Sequence, residues 1–468
     1  MEKSEKKGIN ISARSFVTSI LVILALMILT YALTFIIPAG EYARTVNANG
    51  DSIIDLSSEF RYVEGGLPFW KWLLSPFLVL GAEGGGTTIA VIAFLLVIGG
   101  VFNSLDHCGL MKYMLELIVH KFGKHRYKLM AIIILFFMCM GAFIGSFEEC
   151  VPLVPIVVAL AISLGWDPLT GLGMSILAAG CGFSSGICNP FTVGVAQELA
   201  GLPMFSGIWL RIIGFVLIYA LLFAFLHHHA KKHAKPLEDA LAEHSFRKDP
   251  DMNKAFGIFA VILGIGILTV LCSSFLTFLQ DYTMIIVALM FLIAGITAVL
   301  TAKMTARELL KTFLSGILSI LPAVLMILMA ASIKYTLVEA KILDTLLHSA
   351  MVATATLPKW CVILFIYLIV LVMNFFIASG SAKAFLLIPL IAPIAQAFGI
   401  SPQLSVLAFA FGDGFSNVFY PTNPVLLISL GLADTSYGKW VKWSVKFQLA
   451  NLILTSLLLL FGLAVGYA

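Results

Sequence analysis

Apolar residues along this chain run in blocks separated by short polar stretches, and block length, more than any helical period, carries the organisation. A membrane-crossing helix needs about 20 predominantly apolar residues. The block 16–37 is long enough, and 38–66 after it is polar and mildly acidic. The next block, 67–81, is interrupted by Pro68, Lys71 and Pro76, so it reads as interfacial, re-entrant or a short span. Residues 88–105 predict a span. By contrast, 106–128 alternates charges with Met111, Met114, Leu115 and Ile118 at helical spacing, the pattern of a helix lying in the interface.

Two later blocks are apolar yet unsuited to a plain crossing. Residues 151–164 would fill only about half a bilayer if the chain must also turn, and with Pro152 and Pro155 they predict one arm of a re-entrant hairpin. Within 171–200, Gly180, Gly182, Ser184, Ser185, Gly186 and Asn189-Pro190 predict a helix that unwinds midway. Backbone groups freed in this way are tolerated at membrane depth only inside protein or along a cavity, so the break marks a site. Block 208–226 leads to the histidines at 227–229 and a basic stretch reaching Lys254. The order then repeats: spans at 255–276, 282–300 and 313–333, an amphipathic 339–353 and a span at 360–376. An apolar stretch around Lys383, a second glycine-broken helix over 411–424 and a last span at 441–467 complete the chain. These blocks divide it into a cytoplasmic tail (1–15), a first transmembrane repeat (16–229), a hydrophilic connector (230–254) and a second repeat (255–468).

The repeat has a single offset of 234, which matches Pro155 with Pro389, Gly165 with Gly399, Pro168 with Pro402 and Gly180 with Gly414. It also matches Asn189-Pro190 with Asn423-Pro424, Trp209 with Trp443 and, with reversed charge, Glu149 with Lys383. Helix-breaking segments at corresponding positions of two halves point to the binding site of a secondary transporter. An odd number of crossings per half would invert one half against the other, and the pattern allows both counts. If 67–81 crosses, the connector is cytoplasmic and the basic 106–128 lies outside; if it does not, the reverse holds.

Composition narrows the class. With 60 % hydrophobic and 12 % charged residues, the chain has too little polar surface for a soluble globule and belongs in a lipid bilayer. The net charge of +4 comes mostly from loops and gives no reason to invoke nucleic acid. Lys3, Lys6, Lys7 and Arg14 predict a cytoplasmic N-terminus, and 16–37 reads as a retained first span because it is longer than a signal-peptide core. The seven cysteines form no CxxC pair, so they predict neither a disulfide framework nor a metal site.

The chemistry concentrates at the breaks. Glu148 and Glu149 are adjacent carboxylates in an apolar run, and ionisable groups at membrane depth usually mark a substrate or ion path; the plainer alternative is a hydrated hairpin end. Lys383 reads as a partner for a substrate carboxylate or a charge balance, against snorkelling to the headgroups. Asp413, between two glycines, reads as a cation site or a cap. Ser184, Asn189, Thr192, Ser379, Ser381, Thr422 and Asn423 offer neutral polar groups beside unwound backbone, where half-helix ends favour carboxylates or Na⁺, against simple helix capping. Glu149, Asp413 and Asn417 are the candidates for ion coupling, with Na⁺ or H⁺ as the ion and no cofactor expected. Gly99-Gly100 reads as a packing position and the histidines at 227–229 as a solvated cluster. Gly182-Phe-Ser-Ser-Gly186 formally matches the G-x-S-x-G of a hydrolase, but all nine histidines fall in expected loops or interfacial helices.

Several motifs together resemble the YfcC-like members of the anaerobic C4-dicarboxylate carrier family, within the superfamily that holds the divalent-anion/sodium symporters. They are Ile37-Pro-Ala-Gly-Glu-Tyr42, Phe147-Glu-Glu-Cys150, Asn189-Pro-Phe-Thr-Val-Gly-Val-Ala-Gln197, Ser379-Gly-Ser381, Gly412-Asp-Gly-Phe-Ser-Asn417 and Pro421-Thr-Asn423. The resemblance covers nearly the whole chain and departs at Lys383, where an uncharged polar residue is expected, and at Asn423-Pro424, where the family more often has Ser-Gly. It implies an all-α polytopic membrane protein with an inverted two-fold repeat, two re-entrant hairpins and two broken helices. It further implies a homodimer joined through a scaffold domain and an elevator-like movement of the transport domain. The expected function is secondary active transport of a small polar solute across the cytoplasmic (inner) membrane, with no enzymatic activity. A basic or zwitterionic amino acid, taken up with an ion or exchanged, comes first, because Glu148 and Glu149 would repel a dianion. A C4-dicarboxylate symporter or antiporter is the alternative, and an intramembrane hydrolase or a passive channel the remoter ones.

Overall fold

The computed structural model describes residues 13–46, 52–54, 59–82, 85–145, 147–235, 248–273, 283–354 and 357–468. Most of the expected cytoplasmic tail and the middle of the connector lie outside the described residues. The protein is an all-α polytopic membrane protein: among the described residues, eight helices are long and apolar enough to cross a bilayer. The chain begins with α1 (Ala13–Ile36), α2 (Phe69–Leu78), α3 (Gly85–His107), α4 (Leu110–Phe122), α5 (Arg126–Cys139) and α6 (Val154–Ser163). A helical run follows, made of α7 (Pro168–Leu172), a π-helical turn (Gly173–Leu177) and α8 (Ala178–Ser185), then α9 (Val195–Leu199) and α10 (Ile208–His233). Next come α11 (Pro250–Ser273), α12 (Thr283–Thr301), α13 (Ala306–Glu339), α14 (Leu343–Thr354) and α15 (Lys359–Phe376). The last four are α16 (Gly380–Ala397), α17 (Pro402–Gly414), α18 (Pro424–Leu432) and α19 (Tyr437–Ala464).

Lipid offers helices little hydrophobic reason to associate, so small residues that allow close approach and polar groups that bridge helices carry the packing. Helices α3 and α13 cross where a Cβ on Gly99 would come 3.1 Å from the Gly316 carbonyl oxygen. Beside that crossing Asn103 donates to the Thr312 carbonyl at 2.6 Å, and the Ser104 and Thr312 hydroxyls meet at 3.0 Å. Leucines and isoleucines such as Leu21, Ile132, Ile265, Leu318 and Ile453 point outward, as lipid contact requires. Outside the spans, β1 (Gly40–Glu41) pairs with β4 (Arg61–Tyr62), and β2 (Arg44–Val46) with β3 (Ser52–Ile54). This ribbon is tied to α14. Arg44 pairs with Asp344 at 2.9 Å, the Tyr42 amide donates to Asp344 at 3.1 Å, and the Tyr42 hydroxyl meets His348 at 2.9 Å.

Helix ends recur at the offset of 234. After α6, Gly165 takes φ +82° and the Trp166 amide donates to the Ala161 carbonyl at 2.9 Å. After α16, Gly399 takes φ +65° and the Ile400 amide donates to the Ala395 carbonyl at 2.8 Å. Asp167 and Ser401 then cap the next helix, each followed by proline at its first position.

The histidines at 227–229 differ from the solvated cluster expected of them. Buried Leu226 and Ala230 carry the packed face of α10 past its apolar block, so the helix runs on to His233. His227 packs on the Tyr127 ring, and His229 Nε2 meets Asp167 Oδ2 at 3.0 Å. Burial alone would raise the Asp167 pKa, but hydrogen bonds from His229 and Thr170 outweigh it and hold the carboxyl at about 2. Its folded-state value lies below the ordinary carboxylate range near 4. The carboxylate therefore stabilises the fold above that range, and the contribution is lost as pH falls from about 4 to about 2. Asp167→Ala is expected to lose about 1–2 kcal/mol at neutral pH, the usual worth of a cap, and to flatten the pH dependence across that window. Thermal unfolding of detergent-solubilised protein against pH measures both.

Candidate functional site

The site forms where helices stop. Helix α5 continues through a π-helical turn (Met140–Ile144) and ends at Gly145, whose φ of +76° is readily open only to glycine. A side chain there would also strike Asn189. Helix α8 ends at Gly186, again left-handed at φ +49°. The chain restarts at Asn189, whose Oδ1 accepts from the Phe191 and Thr192 amides at 3.0 and 3.3 Å, with Pro190 behind it. In the second break, α17 ends at Gly414, a turn of 3₁₀ helix follows (Phe415–Val418), and Asn423 caps α18 through the Val425 amide at 3.0 Å. Gly414 lies directly on the Ser184 backbone and Gly180 against the Val418 side chain, so the two broken helices cross with the glycine of each facing the other helix.

Side chains from both halves of the sequence converge beside Gly380. A Cβ on Gly380 would sit 2.6 Å from Thr192 Cγ2 and 2.7 Å from Asp413 Oδ2. Lys383, on the first turn of α16, forms an ion pair with Asp413 and donates to Asn374, and both charged side chains are 0 % exposed. Asn374 is the hub of this network. Its amide nitrogen donates to the Asp413 carbonyl at 3.0 Å, Ser416 Oγ at 2.5 Å and Asn417 Oδ1 at 3.0 Å. Asn423 donates to the same Asn417 oxygen at 3.1 Å, linking the start of α18 to the cluster.

Four buried polar atoms of the expected site make no hydrogen bond: Asn189 Nδ2, Thr192 Oγ1, Asp413 Oδ2 and Thr422 Oγ1. Such atoms are costly to leave unpaired, and a ligand or water would complete them. Glu148 and Glu149 open a 3₁₀ turn (Glu148–Leu153), half-buried, without a basic partner among the described residues. The other candidates are less committed. Ser184 donates back to the Cys181 carbonyl at 2.9 Å, the commonplace bond of a serine within a helix. Ser379 caps α16 from an exposed position, and Ser381 is half-buried two residues before Lys383. Asn374 was not among the sequence candidates. A single asparagine in the apolar block 360–376 was its only signal, and its offset partner is Met140.

Comparison with known proteins follows the same extent of chain. The family described as "C4-dicarboxylate anaerobic carrier" (DcuC) matches residues 16–464. A protein of Escherichia coli (strain K12) named "Putative basic amino acid antiporter YfcC" is 30 % identical, covering 82 % of this chain and 79 % of its own length. A Haemophilus influenzae (strain ATCC 51907 / DSM 11121 / KW20 / Rd) protein described only as uncharacterized is 23 % identical over 98 % of both. Among solved structures, the Alcanivorax borkumensis YdaH transporter is 19 % identical, with a TM-score of 0.48 over 96 % of this chain and 99 % of that one. Neisseria gonorrhoeae MtrF, described among a class of antimetabolite efflux pumps, is 16 % identical with a TM-score of 0.46 over 94 % of each.

Proposed function

The chain belongs to the C4-dicarboxylate anaerobic carrier family, and from that premise we propose that it is a secondary antiporter of basic amino acids in the cytoplasmic membrane. One observation carries the choice of solute. Among the described residues the one lysine of the site is already spent on Asp413, which leaves Glu148 and Glu149 without a compensating basic side chain. A cationic solute relieves that charge. A C4-dicarboxylate would add two negative charges to it, and like charges about 4 Å apart repel by about 4 kcal/mol at the effective dielectric of a protein site. In this reading the side-chain and α-amino cations face Glu148 and Glu149. The carboxylate faces the orphan donors of Asn189, Thr192 and Thr422. The relationship to the Escherichia coli protein named as a basic amino acid antiporter supports the same solute class.

The matching caps at Gly165 and Gly399 and the matching Asn-Pro restarts support an inverted repeat with two re-entrant hairpins and two broken helices. On that architecture the breaks move as one body, elevator-like, against a dimeric scaffold. Counter-substrate drives the cycle.

The test is counterflow in proteoliposomes. Unlabelled arginine inside is expected to drive accumulation of labelled lysine or arginine, and malate or fumarate is expected to do neither. Accumulation of a labelled dicarboxylate that basic amino acids fail to inhibit would sink the reading and put the family's dicarboxylate description first.

A further inference from the structure

The geometry points to Lys383 as a built-in substitute for a coupling cation: its ammonium fills a cation-seeking position beside Asp413, so that exchange proceeds without Na⁺. This rests on the transport reading above. Two independent features make the position cation-seeking. Asp413 stands fully buried at the C-terminal end of α17, where the helix dipole adds partial negative charge to that of the carboxylate. Oxygen atoms also converge there: Asp413 Oδ1 and Asn374 Oδ1 both meet Lys383 Nζ, and Asp413 Oδ2 is buried with no donor. A half-helix C-terminus with a carboxylate and an amide oxygen is the kind of donor set that holds Na⁺ at a transporter's helix break.

Lys383 is badly placed for its own helix. It sits in the first turn of α16, next to the N-terminal end, where the dipole disfavours positive charge. Full burial of an ammonium is also costly unless a counter-charge meets it. Asp413 answers both objections, and nothing about α16 alone does. The sequence offers no second copy of the arrangement, since at the offset of 234 Asn374, Asp413 and Lys383 correspond to Met140, Ala179 and Glu149. The fixed cation thus belongs to the second half alone. A Na⁺ ion entering the same oxygens would meet a like charge already bound to them.

Full-length wild-type protein in proteoliposomes is expected to exchange basic amino acids at the same rate in Na⁺ and in choline medium. Lys383→Ala is expected to lose about tenfold or more of that rate in choline and to recover it saturably as Na⁺ is added. Combining it with Asp413→Asn removes the recovery. A wild-type rate that rises saturably with Na⁺, or a folded Lys383→Ala protein that Na⁺ does not rescue, overturns the proposal. A second readout needs neither the variant nor the solute: thermal unfolding of wild-type protein in Na⁺ against choline at constant ionic strength should coincide. Stabilisation specific to Na⁺ overturns the tethered cation even if no basic amino acid is exchanged. Coincident curves without any such exchange overturn the solute assignment and support the tethered cation.

Discussion

Glu149→Gln is expected to abolish the proposed exchange of basic amino acids and to leave the protein folded in the membrane. The carboxylate is half-buried on a 3₁₀ turn between buried Phe147 and Cys150, with no basic partner among the described residues. On the proposed reading its charge contributes little to the solute-free fold and much to a bound cationic solute. Removing one member of a desolvated charge pair costs about 2–5 kcal/mol, a loss of roughly 30-fold to a few thousand-fold in affinity. Glutamine keeps the shape and a carbonyl oxygen, so assembly and melting temperature should match wild type or rise slightly, since an uncompensated charge at membrane depth is itself destabilising. Counterflow and thermal unfolding on the same preparation separate the two effects. Unaltered exchange kinetics in a folded Glu149→Gln protein would remove this residue from the site.

The second large effect is structural. Gly414→Val is expected to yield no stably folded protein, because a Cβ at that position would be driven into the Ser184 backbone, which has no rotamer with which to yield. Overpacking a well-packed core costs about 1–3 kcal/mol where side chains can shift; against backbone on both helices the cost exceeds that range. The crossing is shared with other close approaches. Gly182 lies against the Met138 carbonyl and Gly141 against the Ala179 carbonyl, so α5, α8 and α17 form one tightly built stack. Gly257→Val, where nothing lies within 4 Å of the added Cβ, is the matched control. Fluorescence-detected size exclusion of solubilised membranes should give a monodisperse peak for the control and loss of it for Gly414→Val. A folded Gly414→Val protein with wild-type melting would mean that the crossing is not as close as described.

What the sequence made legible was the set of places where the chain must stop being helical. Asn189-Pro190 and Asn423-Pro424 became helix starts, because a side-chain cap followed by proline suits that position on local grounds alone. Gly180 and Gly414, matched at one offset, fell in the helices that cross. Partnerships across the site were not legible. Lys383 and Asp413 are thirty residues apart, and their pairing depends on how α16 packs on α17, which no local pattern encodes. Asn374 gave no periodic signal within an apolar block, yet it binds four other groups. The histidines at 227–229 read as solvated because their helix-extending context, buried Leu226 and Ala230, is tertiary.

The salt bridge that fastens the β-ribbon to α14 has a consequence for biogenesis. Arg44 and Asp344 are separated by 300 residues of chain. At a synthesis rate of about 5–20 residues per second, Arg44 leaves the ribosome roughly 15–60 s before its partner exists. During that interval the ribbon has no dock, and the carboxylate that will accept the Tyr42 amide is still unmade. The face that carries this ribbon therefore cannot close until Asp344 has been made, and an early stop in translation would leave the ribbon without the helix that holds it.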